Sequence, residues 1–88
     1  MINEKITIQN VMGLHTRAAA KLVELSSTFE SLIQLANNDQ LANCKSIMSL
    51  ILLGAKKGVT LELHIEGADE LEAKAAVLDL INRKFDET

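Results

Sequence analysis

The sequence contains no tryptophan, tyrosine or proline, only one cysteine, and two aromatic residues, both phenylalanine. A single cysteine excludes an internal disulfide bond and is typical of proteins kept in a reducing compartment, so we expect a cytoplasmic protein. The scarcity of aromatic residues removes the platforms on which unpaired bases stack. The formal net charge is −3, whereas nucleic-acid binding relies on clustered positive charge. We therefore expect no nucleic-acid partner.

Long apolar segments are also missing. Residues 1–5 lack the apolar region of a secretory signal, and the run from Leu50 to Leu53 is far too short to span a bilayer. We therefore expect no membrane insertion. With 88 residues, of which 48% are hydrophobic, the chain can bury one modest aliphatic core. We expect a single domain over residues 1–88.

The spacing of the apolar residues predicts seven elements of secondary structure. Alternation of apolar and polar residues predicts strands at 5–9, 32–36, 40–44 and 59–65. Apolar residues at helical spacing predict helices at 16–28, 46–54 and 69–84. The order β-α-β-β-α-β-α, with strands that are apolar on one side, predicts an α+β fold. We expect a four-stranded, mainly antiparallel sheet with three helices on one face and solvent on the other.

A histidine lies between a glycine-led turn and an alanine-rich helical segment, in the sequence Gly13-Leu14-His15-Thr16-Arg17. Its ring is thereby placed at a helix N-terminus, where unpaired N–H groups and the helix dipole favour an anion. A neutral imidazole is a nucleophile, and the guanidinium of Arg17 is a bidentate donor for phosphate oxygens. We expect His15 to carry a phosphoryl group and Arg17 to stabilise it. His64, on the polar side of a strand, is expected to be an ordinary exposed residue.

The two later helices carry apolar residues that predict what each helix faces. In the last helix, the core-facing stripe is expected to comprise Leu71, Ala75, Leu78, Ile81 and Phe85. The short second helix has too many apolar residues for one face: Ile47, Met48, Ile51 and Leu52. We expect some of these four in the core and the others in an exposed patch beside His15, where partners dock. Ser46 is expected to be the N-cap of this helix, a position that also tolerates phosphorylation.

Two separated motifs together resemble the HPr family, the histidine-containing phosphocarriers of the bacterial phosphoenolpyruvate:carbohydrate phosphotransferase system. The first motif is Gly13-Leu14-His15-Thr16-Arg17 with its alanine-rich helix, and the second runs from Lys45-Ser46-Ile47-Met48 to Gly58. Both occur at the spacing of the family, and the resemblance covers essentially the whole chain. The last four residues, 85–88, resemble those of NPr, the nitrogen-branch paralogue within this family.

The resemblance implies an HPr-like open-faced β-sandwich and a carrier cycle without metal or cofactor. Enzyme I, charged from phosphoenolpyruvate, would phosphorylate Nδ1 of His15, and an EIIA protein would accept the group. The chain would then be a stoichiometric carrier rather than an enzyme, and we expect a monomer. In the family, an HPr kinase/phosphorylase can modify the serine that matches Ser46. We assign five residues to the partner-binding surface: Thr16, Ala20, Ile47, Met48 and Ile51.

The chain departs from the family pattern at two neighbouring positions. Thr16 stands where alanine is usual, and Ala18 stands where proline is typical. Our hypothesis is that Thr16 is the N-cap of the first helix and accepts a hydrogen bond from the N–H that alanine restores at position 18. We also expect that several basic side chains surround the site and steer acidic partners, from Arg17, Lys21, Lys45, Lys56 and Lys57.

Two other functions stay open from the sequence. One is a mainly regulatory module that binds partners according to the state of Ser46. The other is a small α+β domain in which His15 and Arg17 bind a free anion.

Overall fold

The computed structural model describes residues 1–87. Its elements are β1 Ile2–Thr7, α1 Thr16–Ser26, β2 Leu32–Asn37, β3 Gln40–Asn43, α2 Ile47–Leu53, β4 Thr60–Glu66 and α3 Glu70–Asn82, followed by a helical turn at Lys84–Asp86. None of these helices is long and apolar enough to cross a membrane.

The four strands form one sheet in the order β1-β4-β2-β3, and every neighbouring pair is antiparallel. The register brings apolar side chains together on one face: Ile6 pairs with Leu61, and Leu35 pairs with both Leu63 and Ala42. The helices cover this face and share one aliphatic core with it. The predicted α+β architecture, an open-faced sandwich, is confirmed.

The face of the sheet that the helices leave open carries a polar row across all four strands. The register aligns Asn3, His64, Gln34 and Asn43 in this row. Nδ1 of His64 lies against Oδ1 of Asn3. His64 therefore lies on the opposite side of the sheet from the helices, away from the segment that carries His15.

The core-facing stripe expected for the last helix is confirmed in part. Ile81 and Phe85 are buried and Leu78 packs half-buried against the core, whereas Leu71 and Ala75 are exposed. Leu71 is 69% exposed, and the buried residues of the helix are Ala73, Val77, Leu80 and Ile81. Apolar residues occur on every side of this helix, so their spacing leaves its rotational phase undetermined. The packing against β1 and β4 decides the phase.

Most element boundaries differ from the sequence prediction by one to three residues, and two of them illustrate the reasons. Helix α1 ends at Ser26, two residues before the expected end, and the N–H of Ser27 bonds back to the carbonyl of Val23 at 2.9 Å. Strand β1 begins three residues early because Ile2 pairs with Ile65 of β4. Neither change alters the order of the elements.

The chain leaves α3 through a left-handed turn, because Lys84, Phe85 and Asp86 have φ of 57, 55 and 60°. Non-glycine residues avoid this conformation, at a cost of roughly 1–2 kcal/mol each. The side chain of Phe85 is fully buried, and Nζ of Lys21 donates to the carbonyl of Phe85 at 2.7 Å. These two interactions hold the turn, which directs Glu87 back towards the start of α1. Thr88, the last residue of the NPr-like ending, lies outside the described residues.

Candidate functional site

A tight loop carries the chain from β1 to the start of α1. The N–H of Gly13 donates to the carbonyl of Asn10 at 3.1 Å, and Gly13 has a φ of +66°, a region that glycine enters without strain. The N–H of the buried Leu14 then donates to the carbonyl of Ala55 at 2.8 Å. These two hydrogen bonds fix the loop at the two residues that precede His15.

His15 itself is the N-cap of α1, so the hypothesis that Thr16 is the cap is wrong. His15 has the extended conformation of a cap residue (φ −85°, ψ −177°), and its carbonyl accepts from the N–H of Ala19 at 2.8 Å. Its ring atom Nδ1 accepts from the N–H of Arg17 at 3.3 Å. The imidazole thus performs the task that the sequence assigned to the Thr16 hydroxyl, and Thr16 is an exposed residue in the first turn.

The other ring nitrogen contacts a residue that the sequence did not indicate. Nε2 of His15 lies 2.8 Å from Oε1 of Glu87. An ionised carboxylate can only accept, so Nε2 carries the proton and Nδ1 keeps its lone pair. The hydrogen bonds from His15 and from Asn10 hold the pKa of the Glu87 carboxyl below its usual value. The ring is therefore oriented with its unprotonated nitrogen at the helix N-terminus.

Asn10 is the second site residue that the sequence analysis missed. Its side chain is buried, and Nδ2 donates to the carbonyl of Gly13 and to Oε1 of Glu87, both at 2.7 Å. An asparagine three residues before a glycine turn is a weak local signal. Nothing in the sequence links it to a glutamate near the end of the chain.

An open pocket of about 550 Å³ surrounds the ring, lined by Met12, His15, Thr16, Arg17, Ala20 and Glu87. The structure thus brings together four of the predicted site residues. The Arg17 side chain is exposed and forms no ion pair within residues 1–87. It is available to an anion that enters the pocket.

The second helix contradicts one expectation and confirms another. None of its four singled-out apolar residues is in the core: Ile47, Met48, Ile51 and Leu52 are all exposed, with Met48 at 64% and Leu52 at 72%. Leu50 and Leu53 supply the core-facing side instead. Ser46 is the N-cap as predicted, since its Oγ accepts from the N–H of Ser49 at 3.3 Å.

Helix α2 packs against α1, whose first turn carries the pocket. Besides the exposed apolar residues of α2, the loop between β1 and α1 carries two more, Val11 and Met12. Neither residue belongs to a periodic apolar pattern, so the sequence gives no signal for them.

Of the four lysines expected around the site, two form hydrogen bonds to backbone carbonyls and two are exposed. Nζ of Lys21 donates to the carbonyl of Phe85, and Nζ of Lys45 donates to the carbonyl of Phe29 at 2.8 Å. The ammonium groups of these two lysines are therefore held by backbone carbonyls and do not extend freely beside the site. Lys56 and Lys57 are exposed.

Comparison with known proteins places the chain among phosphocarriers. The family model for the "PTS HPr component phosphorylation site" matches residues 2–83. The chain is 46% identical to the phosphocarrier protein HPr of Neisseria meningitidis, over 99% of this chain and 98% of that one. It is 36% identical to the phosphocarrier protein NPr of Klebsiella oxytoca, over 98% and 97%. The solved structure of HPr from Thermoanaerobacter tengcongensis is 42% identical and superposes with a TM-score of 0.95, covering 100% of this chain and 99% of that one.

Proposed function

The chain belongs to the HPr family of the phosphotransferase system, and on that premise we propose that His15 is the residue that carries the phosphoryl group. The observation that supports this assignment is the pair of contacts on its ring. The Glu87 carboxylate accepts from Nε2, while Nδ1 faces the first turn of α1 with its lone pair. This is the protonation pattern that a nucleophilic nitrogen requires.

In the proposed transfer, the hydrogen bond from the N–H of Arg17 to Nδ1 breaks, and the freed lone pair of Nδ1 attacks phosphorus. A P–N bond forms, the bond between phosphorus and the donor breaks, and Nε2 keeps its proton throughout. The ring gains positive charge, which the carboxylate of Glu87 stabilises. The oxygens of the phosphoryl group accept from the N–H and the guanidinium of Arg17. Transfer to an acceptor reverses these steps, so the chain is a stoichiometric carrier.

We assign the donor role to Enzyme I and the acceptor role to an EIIA protein, in a cytoplasmic pathway. The exposed residues Ile47, Met48 and Ile51 supply an apolar docking surface, and Thr16 and Ala20 lie at the pocket itself. Methionine suits a surface that must fit more than one partner. Ser46 is the proposed target of an HPr kinase/phosphorylase, because a phosphate at this cap adds negative charge to the same helix.

The free-anion alternative is less well supported by the pocket. A free anion would use the donors of Arg17, but it has no need of the lone pair on Nδ1 or of the carboxylate on Nε2. An electrophilic phosphorus atom, by contrast, is attracted by that lone pair.

The test is incubation with Enzyme I and phosphoenolpyruvate, followed by intact-mass measurement. The wild type should gain the mass of one phosphoryl group in an acid-labile, base-stable form, and should lose it when an EIIA protein is added. His15→Ala should gain nothing, whereas the matched control His64→Ala should behave like the wild type. Labelling that survives in His15→Ala but is lost in His64→Ala would contradict the assignment. Saturable binding of inorganic phosphate without covalent change would favour the anion-binding domain, and response to partners only after Ser46 modification would favour the regulatory module.

A further inference from the structure

We propose that Asn10 is a positioning residue for phosphoryl transfer: its amide holds the Glu87 carboxylate on Nε2 of His15 and ties both to the loop before α1. The inference rests on the proposed function and extends it, because it identifies the group that prepares the histidine ring. Asn10 itself touches no ring atom, so it acts on the ring through Glu87, while the Gly13 carbonyl anchors its amide.

The hydrogen bonds of Asn10 determine the orientation of its amide. Its two neighbours, the Gly13 carbonyl and the Glu87 carboxylate, are both acceptors, so the NH₂ end must face them and both of its N–H groups are used. Its Oδ1 is buried without a hydrogen-bond partner among residues 1–87. A buried acceptor without a partner is unfavourable, and an apolar side chain of similar size would avoid it. The presence of an amide at this position is therefore explained by the two hydrogen bonds from its NH₂ group, to the Gly13 carbonyl and to the Glu87 carboxylate.

Glu87 reaches the site from a distant part of the chain. It follows the left-handed turn at Lys84–Asp86. Its carboxylate contact with His15 spans 72 positions, and the contact with Asn10 spans 77. Both bonds end on the same oxygen, Oε1, so Asn10 fixes the atom that orients the ring.

The Gly13 carbonyl completes the arrangement. Asn10 accepts from the N–H of Gly13 through its backbone and donates to the carbonyl of Gly13 through its side chain. The residue that holds Glu87 is therefore rigidly joined to the loop that delivers His15. Preorganised charge beside a reacting group contributes to rate because the group needs no reorganisation when the ring becomes positive.

The first test compares rates of phosphorylation by Enzyme I. Asn10→Leu removes both donors at similar size, and Asn10→Asp keeps the shape but offers at most one proton. We expect each to lower the rate about tenfold, the effect of roughly 1.4 kcal/mol in the transition state. Glu87→Ala should lower it by a similar factor, and Asn10→Leu in the Glu87→Ala background should cause no further loss. Additive losses in that double variant, or a wild-type rate in Asn10→Leu, would overturn the proposal.

The matched control is Gln9→Ala. Gln9 is the neighbouring side-chain amide. Its Nε2 donates to Oδ1 of Asn82 at 3.3 Å, at the C-terminal end of α3, and neither residue lines the pocket around the ring. The Gln9→Ala variant should accept the phosphoryl group from Enzyme I at the wild-type rate. Thermal melts of each variant identify any that fails to fold, and Asn10→Asp then replaces Asn10→Leu in the double variant.

The second test does not depend on Enzyme I. In ¹H–¹⁵N NMR spectra of the unphosphorylated protein, we expect the Nε2–H proton of His15 to be protected from exchange with water by its bond to Glu87. The signal should disappear in Asn10→Leu and in Glu87→Ala, and persist in Gln9→Ala. Persistence in Asn10→Leu would show that Glu87 holds the ring without Asn10, and would overturn the inference. A wild type that Enzyme I does not phosphorylate would overturn the proposed function, while this signal would still decide the role of Asn10.

Discussion

The backbone N–H of Leu14 donates a 2.8 Å hydrogen bond to the carbonyl of Ala55. Leu14 belongs to the motif that carries His15, and Ala55 belongs to the segment that follows α2. The two motifs that resemble the HPr family are therefore joined by backbone in the folded protein. Their contact fixes the loop that carries His15 against the end of α2, the helix with the exposed apolar residues.

Gly13 is required at the point where this contact forms. A Cβ at position 13 would lie 2.6 Å from the Ala55 oxygen, and the φ of +66° is unfavourable for a side chain. We expect Gly13→Ala to lower the free energy of unfolding by more than about 1 kcal/mol, measured by urea denaturation. Gly58→Ala is the matched control, because Gly58 has a φ of +90° but nothing within 4 Å of a Cβ. Equal losses in the two variants would show that the approach to Ala55 contributes nothing.

Ser46→Asp should lower the rate of transfer from Enzyme I while leaving stability close to that of the wild type. Aspartate is as good an N-cap as serine, but its charge repels an acidic partner surface near the exposed residues of α2. Ser46→Asn caps the helix without charge and should transfer normally. Ser46→Ala should lose the bond to Ser49 and about 0.5–2 kcal/mol of stability. An equal loss of transfer in Ser46→Asp and Ser46→Asn would argue against a charge effect.

Asp69 should make the stability of the fold depend on pH in the acid range. The hydroxyl of Ser31 and the N–H of Glu30 donate to its carboxylate and hold its pKa below the ordinary value of 3.8. A lowered pKa in the folded state stabilises the fold above pH 3.8, and this contribution is lost as the pH falls through the folded-state pKa. We expect Asp69→Asn to be less stable than the wild type at neutral pH.

The difference between Asp69→Asn and the wild type should narrow in urea titrations below pH 3.8. Asp39→Asn, which removes the same charge from an exposed turn, is the matched control. A constant difference at all pH values would mean that ionisation of Asp69 does not matter.

Thr16→Ala should change stability by less than about 0.5 kcal/mol, because His15 and not Thr16 caps α1. Because the Thr16 hydroxyl is not the cap, its removal should also be independent of the N–H at position 18. In a double-mutant cycle with Ala18→Pro, the effects on the free energy of unfolding should add within about 0.3–0.5 kcal/mol. A larger coupling would mean that the Thr16 hydroxyl does accept a hydrogen bond from the N–H at position 18.

The sequence by itself determined the features that depend on neighbours in the chain. Alternation over residues 59–65 predicted β4, and Ser46 and Gly54 marked the two ends of α2 correctly. The position of His15 at the start of α1 followed in the same way from Gly13 and the alanines. These signals are readable because caps, turns and strand alternation form between residues a few positions apart.

The tertiary structure alone decided which groups meet across the fold. The phase of α3 depended on packing, because apolar residues on all sides of that helix left several faces equally able to be buried. The contacts of Glu87 with His15 and Asn10 depended on the left-handed turn after α3, whose conformation is unfavourable locally and is held by the burial of Phe85 and by Lys21. A contact between residues so far apart leaves no periodic trace in the sequence, so the partner of the histidine became visible only in the folded chain.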